Sequence, residues 1–169
     1  MPGIDIVDAL ATGQLDQARD IAFEYLALTQ GEAGLPVPQD IAALPEPLRV
    51  ALDSLEQRHV PPGALLLALS GDAVCGTVAL QRSWLTRTTD AVVQRLYVRE
   101  PYRRCGIARE LMATVHAIAA REGFQRLVLN VMESRTGALA FYRTLGYTPL
   151  SEPVDWPYGG HWLVRAVNS

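Results

Sequence analysis

Cysteine is scarce in this chain: only Cys75 and Cys105 occur among 169 residues. Two thiols make no disulfide framework and suit a reducing compartment. The three histidines, His59, His116 and His161, lie far apart, and no Cys/His cluster has zinc-ligand spacing. No apolar run is long enough to span a bilayer. The first residues, Met1 to Gly13, have neither the positively charged start nor the apolar stretch of a secretory signal. Positive charge is not in surplus either. The formal net charge is −3, which argues against a general nucleic-acid binder. These absences predict a cytoplasmic protein with no metal, no membrane and no nucleic acid among its partners.

What is present is a globular composition, 49% hydrophobic and 20% charged. The length allows one domain with a real core, so residues 1–169 are expected to form a single domain. Ile4 to Val7 is a short strand by pattern. Leu15, Ala18, Ile21, Ala22, Tyr25 and Leu26 recur at helical spacing and predict a helix over Leu15 to Leu28. Glycines and prolines make Thr29 to Gln39 a loop. A second helix is expected within Leu44 to Arg58, with Pro45 and Pro47 in its first turn, and Pro61-Pro62-Gly63 ends it. Ala64 to Leu69, a Gly71-Asp72 turn and Val74 to Leu80 read as an antiparallel hairpin. Ala91 to Val98 is the next strand. Arg126 to Met132 is a buried strand, Thr136 to Leu145 a short helix capped by Gly146, and Tyr147 to Leu150 and His161 to Val167 are closing strands. The order is β-α-α-β-β-β-α-β-α-β-β, an α+β sheet with helices on both faces. Glu24, Glu32, Asp40 and His59 are expected at the surface.

The stretch from Arg99 to Gly123 organises the rest. Strand residues Leu96-Tyr97-Val98 lead into a basic turn, Arg103-Arg104-Cys105-Gly106-Ile107-Ala108. An amphipathic helix follows, with Ala108, Leu111, Met112, Val115, Ile118 and Ala119 on one side and Gly123 after its end. Strand, glycine turn and helix N-terminus make a natural anion site. The first N–H groups of a helix lack intrahelical partners, and Gly106 lets a phosphate approach the backbone. Arg103 and Arg104 add fork-shaped donors. Short glycine turns of this kind also occur as plain structural turns.

Arg103 to Ala108 fits Arg/Gln-x-x-Gly-x-Gly/Ala and resembles the acyl-CoA pyrophosphate loop of the GNAT N-acetyltransferase superfamily. Gln94-Arg95-Leu96-Tyr97-Val98 before it and Ala138 to Tyr147 after it resemble the same family, in the same order. The clear resemblance covers Pro62 to Leu150. It implies a mostly antiparallel central sheet, splayed between the fourth and fifth strands, with acetyl-CoA as cosubstrate and no metal. Arg103, Arg104, Cys105, Gly106, Ile107 and Ala108 would hold the pyrophosphate, with Cys105 at a position the motif leaves free. Backbone groups around Leu96, Tyr97 and Val98 would pair with the pantetheine arm. Tyr142 stands where the family has a tyrosine near the cofactor sulfur, and a phenol with a pKa of ~10 can protonate a thiolate at neutral pH.

Acyl transfer to an amine needs a polarised carbonyl, a neutral amine and a proton for the departing thiolate. Here the resemblance departs in three places. Arg135 stands where many relatives have asparagine, Val92 where some have a basic glutamate, and Asn130 where another acid is frequent. Asp90 and Glu133 are the nearest carboxylates, and Glu133 is the one expected to bind the amine or to act through water. The activity implied is acetyl transfer from acetyl-CoA to a small primary amine. Two alternatives stay open: an acyl-CoA-binding regulatory module, and a protein lysine or N-terminal acetyltransferase. Trp84 fits packing over the hairpin end better than a pocket wall, and Tyr158 and Trp162, beside His161, fit an acceptor-pocket wall or a homodimer contact equally.

Overall fold

The computed structural model describes residues 3–168. Its strands are β1 (Ile4–Asp8), β2 (Ala64–Ser70), β3 (Ala73–Arg82), β4 (Asp90–Val98), β5 (Arg126–Val131), β6 (Thr148–Pro149) and β7 (His161–Ala166). Its helices are α1 (Leu15–Glu32), α2 (Glu46–Asp53), α3 (Leu55–His59), α4 (Ile107–Arg121) and α5 (Thr136–Thr144). The strands form one sheet in the order β1-β2-β3-β4-β5-β7-β6. Every pairing is antiparallel except β4 with β5.

Alternation along β2 shows why helices cover both faces. Leu65 and Leu67 join the cluster under α1, α2 and α3, whereas Ala64, Leu66 and Ala68 join the cluster under α4 and α5. A strand buried on both faces reads as a continuous apolar run, and Ala64 to Leu69 does. Helix α4 sends Ile107, Leu111, Met112, Val115 and Ala119 into the second cluster. Gly123, at φ +81°, ends it in the left-handed conformation that an L side chain resists.

Two helices differ from the sequence expectation. Helix α1 runs past Leu28 to Glu32, through Gly31, because tertiary contacts described below hold its last turn. The helix expected over Leu44 to Arg58 is two, broken at Ser54, after a 3-10 turn at Ile41–Ala43. The Ser54 hydroxyl donates back to the Val50 carbonyl at 2.7 Å, a local bond that bends helices. The first closing strand shrinks to Thr148–Pro149.

The parallel β4–β5 pairing is short: Asp90, Ala91 and Val92 face Arg126, Leu127 and Val128, and there it stops. Beyond that point the strands diverge, as the family resemblance implies. An ion network locks the narrow end. Arg126 donates to both oxygens of Asp90 (2.9 and 2.8 Å) and to Glu152 (2.7 and 2.9 Å), and Arg87 donates to Glu152 at 2.7 Å. Asp90 is fully buried. Burial alone would raise its pKa, but the Arg126 and Thr86 hydrogen bonds outweigh it and hold the carboxyl below its usual range. Asp90 is thus a structural anion, not the spare base that its sequence position allows.

Candidate functional site

Beyond Val92 the β5-facing edge of β4 is open for six residues, about 20 Å of strand. That edge includes Leu96, Tyr97 and Val98. The Leu96 and Val98 side chains pack on the α4 cluster while Tyr97 turns to the α1 side, leaving the backbone to face the gap.

The turn after β4 has the predicted shape. Arg104 (φ +64°) and Gly106 (φ +80°) are both left-handed, and Gly106 is the N-cap of α4. The first capped amide is that of Glu110, donating to the Gly106 carbonyl at 3.0 Å. The amides of Ile107, Ala108 and Arg109 therefore have no partner within the helix. A Cβ on Gly106 would meet nothing within 4 Å, so the space beside this residue is open. Arg103 is held against the strand: its Nε donates to the Val98 carbonyl at 2.9 Å, and its guanidinium lies 5.9 Å from the Tyr97 ring centroid. Arg104 is exposed and makes no hydrogen bond or ion pair among the described residues. Cys105 is exposed, and its thiol donates to the Arg103 carbonyl at 3.5 Å.

Tyr142 is 8% exposed, on α5, with its ring against Phe141 and Tyr147. Burial pushes its pKa above the ordinary tyrosine value, with the neighbouring Tyr25 adding to the effect. Its phenol therefore keeps its proton at neutral pH. Glu133 is exposed just past the end of β5 and makes no hydrogen bond or ion pair among the described residues. Asn130, on β5, donates to the Gly159 carbonyl at 3.1 Å and ties the strand to the loop before β7.

Arg135, Glu24 and His59, to which the sequence assigns no site role, make long-range contacts. Arg135 is the N-cap of α5. It reaches across the open end of the splay to α1, donating to Glu32 (2.8 Å), Thr29 (3.0 Å) and the Tyr25 hydroxyl (3.2 Å), with its guanidinium 5.0 Å from the Tyr25 ring centroid. This explains the extra turn of α1. Glu24, read as surface, accepts from the Tyr97 hydroxyl (3.1 Å) and Arg99 (2.9 Å). A groove of about 610 Å³ lies beside it, lined by Phe23, Leu28, Val37, Tyr97 and Arg99 among others. His59, also read as surface, is fully buried. A second groove, about 310 Å³, lies between α5 and β7, with Leu139, Arg143, Glu152 and Trp162 in its walls.

The remaining cluster centres on Arg95. Between Gln94 and Tyr97 the β3–β4 register slips by one residue, and Arg95 sits in that bulge at φ +55°. Its Nη2 lies 2.8 Å from His59 Nε2, and His59 Nδ1 lies 3.0 Å from the Leu80 carbonyl. Guanidinium only donates and a carbonyl only accepts, so His59 carries its proton on Nδ1 and is neutral. Burial, then the Arg95 charge, lowers its pKa to about 4. Two adjacent polar residues interrupting the apolar pattern of β4 were the sequence signal for this bulge.

A family model described as "Acetyltransferase (GNAT) family" matches residues 35–147. A curated relative, thialysine N-epsilon-acetyltransferase of Caenorhabditis elegans, is 33% identical over 64 residues, 38% of this chain and 40% of that protein. The chain thus matches well under half the length of that relative. Among solved structures, a GNAT-family acetyltransferase of Staphylococcus aureus Mu50 superposes with a TM-score of 0.76 at 16% identity, covering 98% of this chain and 99% of that one. The PaiA N-acetyltransferase of Thermoplasma acidophilum, solved with coenzyme A, gives 0.66 at 15% identity over 97% and 99%. These structural likenesses speak to the fold.

Proposed function

We propose that this chain, which belongs to the GNAT acetyltransferase family, moves an acetyl group from acetyl-CoA to a primary amine of a small molecule by direct attack. The observation that carries the reading is the continuity of one open edge with one anion site. The free edge of β4, bent by the Arg95 bulge, leads through a 3-10 turn at Glu100–Tyr102 to left-handed Arg104 and Gly106 and to the unpartnered amides of α4. A long ligand with an amide-bearing arm and a pyrophosphate matches both.

Acetyl-CoA supplies the activated acyl carbon when bound. Arg103 to Ala108 take the pyrophosphate, with Arg104 free to close on it. Leu96, Tyr97 and Val98 offer backbone groups to the pantetheine arm. Tyr142 stays protonated beside the leaving sulfur; its raised pKa makes it a weaker acid than free tyrosine and suits it to stabilise the departing thiolate by a hydrogen bond. Glu133 receives the ammonium of the acceptor and takes its proton directly or through water. Cys75 and Cys105 are both free, as the reducing cytoplasm would keep them.

Thermal unfolding with and without acetyl-CoA, with ATP and NAD as controls, tests the cofactor. A ligand that binds the native state raises the midpoint. A rise selective for acetyl-CoA is expected, and no rise at millimolar ligand refutes the assignment. Release of CoA thiol on a panel of amines then separates an enzyme from a module that only binds.

A further inference from the structure

The guanidinium of Arg95 has a neutral partner where a partly buried charge ordinarily has an acid. Its hydrogen bond goes to uncharged His59. No carboxylate pairs with it among the described residues. Its remaining nitrogens are not sealed from solvent, since the buried, unpartnered side-chain atoms among the described residues belong to His116, Trp156 and Trp162. Burial lowers its pKa to about 10, so it stays charged at neutral pH. A charge in this setting is unfavourable unless something compensates it.

Its place in the fold suggests what does. The bulge lies three residues past the last β4–β5 pair, at the mouth of the splay. Tyr25 acts electrostatically on both Arg95 and Tyr142 and accepts a hydrogen bond from Arg135, so these groups share one neighbourhood. Glu32 neutralises Arg135 there, and Arg95 is left over. Bulges commonly re-aim a side chain toward a site. The fork of a guanidinium matches a carboxylate in two-point geometry.

We propose that Arg95 holds a carboxylate of the substrate pair, borne by the acceptor amine or by the acyl chain, and so selects anionic substrates. His59 acts as a positioning residue, because its unprotonated Nε2 fixes one arm of the fork and leaves the rest for the ligand. The inference rests on the acyl-transfer reading above.

The test compares kcat/KM for matched acceptors with acetyl-CoA: phenylalanine against phenethylamine, and lysine against cadaverine. A second arm keeps phenethylamine and exchanges acetyl-CoA for succinyl-CoA. One carboxylate-bearing combination is expected to win by roughly tenfold to a hundredfold, the range of a charge-assisted hydrogen bond. The arm in which it wins identifies the source. Arg95→Gln should bring that ratio to within about threefold of one, and Arg95→Lys should keep part of it, as a charge without a fork does. A ratio that survives Arg95→Gln, or no ratio in the wild type, overturns the proposal. Should Arg95→Gln fail to fold or no acceptor turn over, the wild-type thermal midpoint decides. N-acetylphenylalanine or N-succinylphenethylamine should raise it more than N-acetylphenethylamine, and equal shifts overturn the proposal. Stabilisation by acetyl-CoA is read separately. Its absence sinks the acyl-transfer reading, whereas its presence with no carboxylate preference sinks only the role of Arg95.

Discussion

The Arg103–Ala108 turn and the polar cluster around Tyr25 lie at the same splay but are built differently. The turn is one continuous stretch. Its shape comes from Gly106 and the start of α4, and its donors are backbone amides that any sequence with that local conformation presents. The Tyr25 cluster draws Tyr25, Thr29 and Glu32 from α1, His59 from α3, Arg95 from β4, and Arg135 and Tyr142 from α5. The first region suits a constant ligand. The second varies side chain by side chain and suits the part of a reaction that differs between enzymes.

Breaking the turn should have the largest effect. Gly106→Trp puts a side chain on a residue at φ +80° and fills the open space beside it. Acetyl-CoA affinity should fall more than a hundredfold by calorimetry, while far-UV circular dichroism stays unchanged because Gly106 is exposed. Unchanged affinity would reduce the turn to a structural element.

The next effect belongs to the cluster and is read in stability. His59 in the folded chain has a pKa of about 4 against an ordinary 6.5. The unfolded chain therefore takes the proton first. Stability from this site is complete above pH 6.5 and drains as pH falls toward 4, by about 3 kcal/mol. His59→Asn keeps a donor for the Leu80 carbonyl and should flatten this part of the curve, as urea titrations across pH 4 to 7 would show. An unchanged slope would assign the acid sensitivity to other groups.

Tyr142→Phe keeps the ring packing and removes one proton. We expect kcat to drop roughly tenfold to a hundredfold, as for a lost hydrogen bond to a charged group, with acetyl-CoA affinity within about threefold. Equal kcat for variant and wild type would remove the hydrogen-bond role. The smallest effect is expected from Arg135→Gln, which loosens α1 from α5. Its ion pair with Glu32 is partly exposed, so the stability loss should be about 1 kcal/mol. Hydrogen exchange should speed up in the last turn of α1 and not at the start of α4. Faster exchange in both would mean that the two regions are coupled.

How much was legible follows the same division. The continuous apolar run of β2, the 3.6-residue period of α4 and the glycine turn within Arg103–Ala108 are local patterns, and each appears in the structure where the sequence placed it. The splay followed from the family resemblance, and the β4–β5 register shows its start at Val92. His59 was misplaced, and the pairings of Asp90, Glu24 and Glu32 were not legible, because each takes its role from a partner far along the chain. Asp90 and Arg126 are 36 residues apart, Tyr97 and Glu24 are 73, and Arg135 and Glu32 are 103. No window of sequence spans such pairs.

The sequence by itself therefore determined most of the order of elements, the helix and strand faces, and the glycine turn before α4, since these depend on periodicity and on what one glycine permits. Tertiary structure alone decided which charges are paired. It spent Asp90 on Arg126 at the narrow end and Glu32 on Arg135 at the open end, and it set Arg95 against a neutral histidine. The physical reason is that the energy of a charge depends on burial and on neighbours within a few ångströms, and folding alone brings those neighbours together.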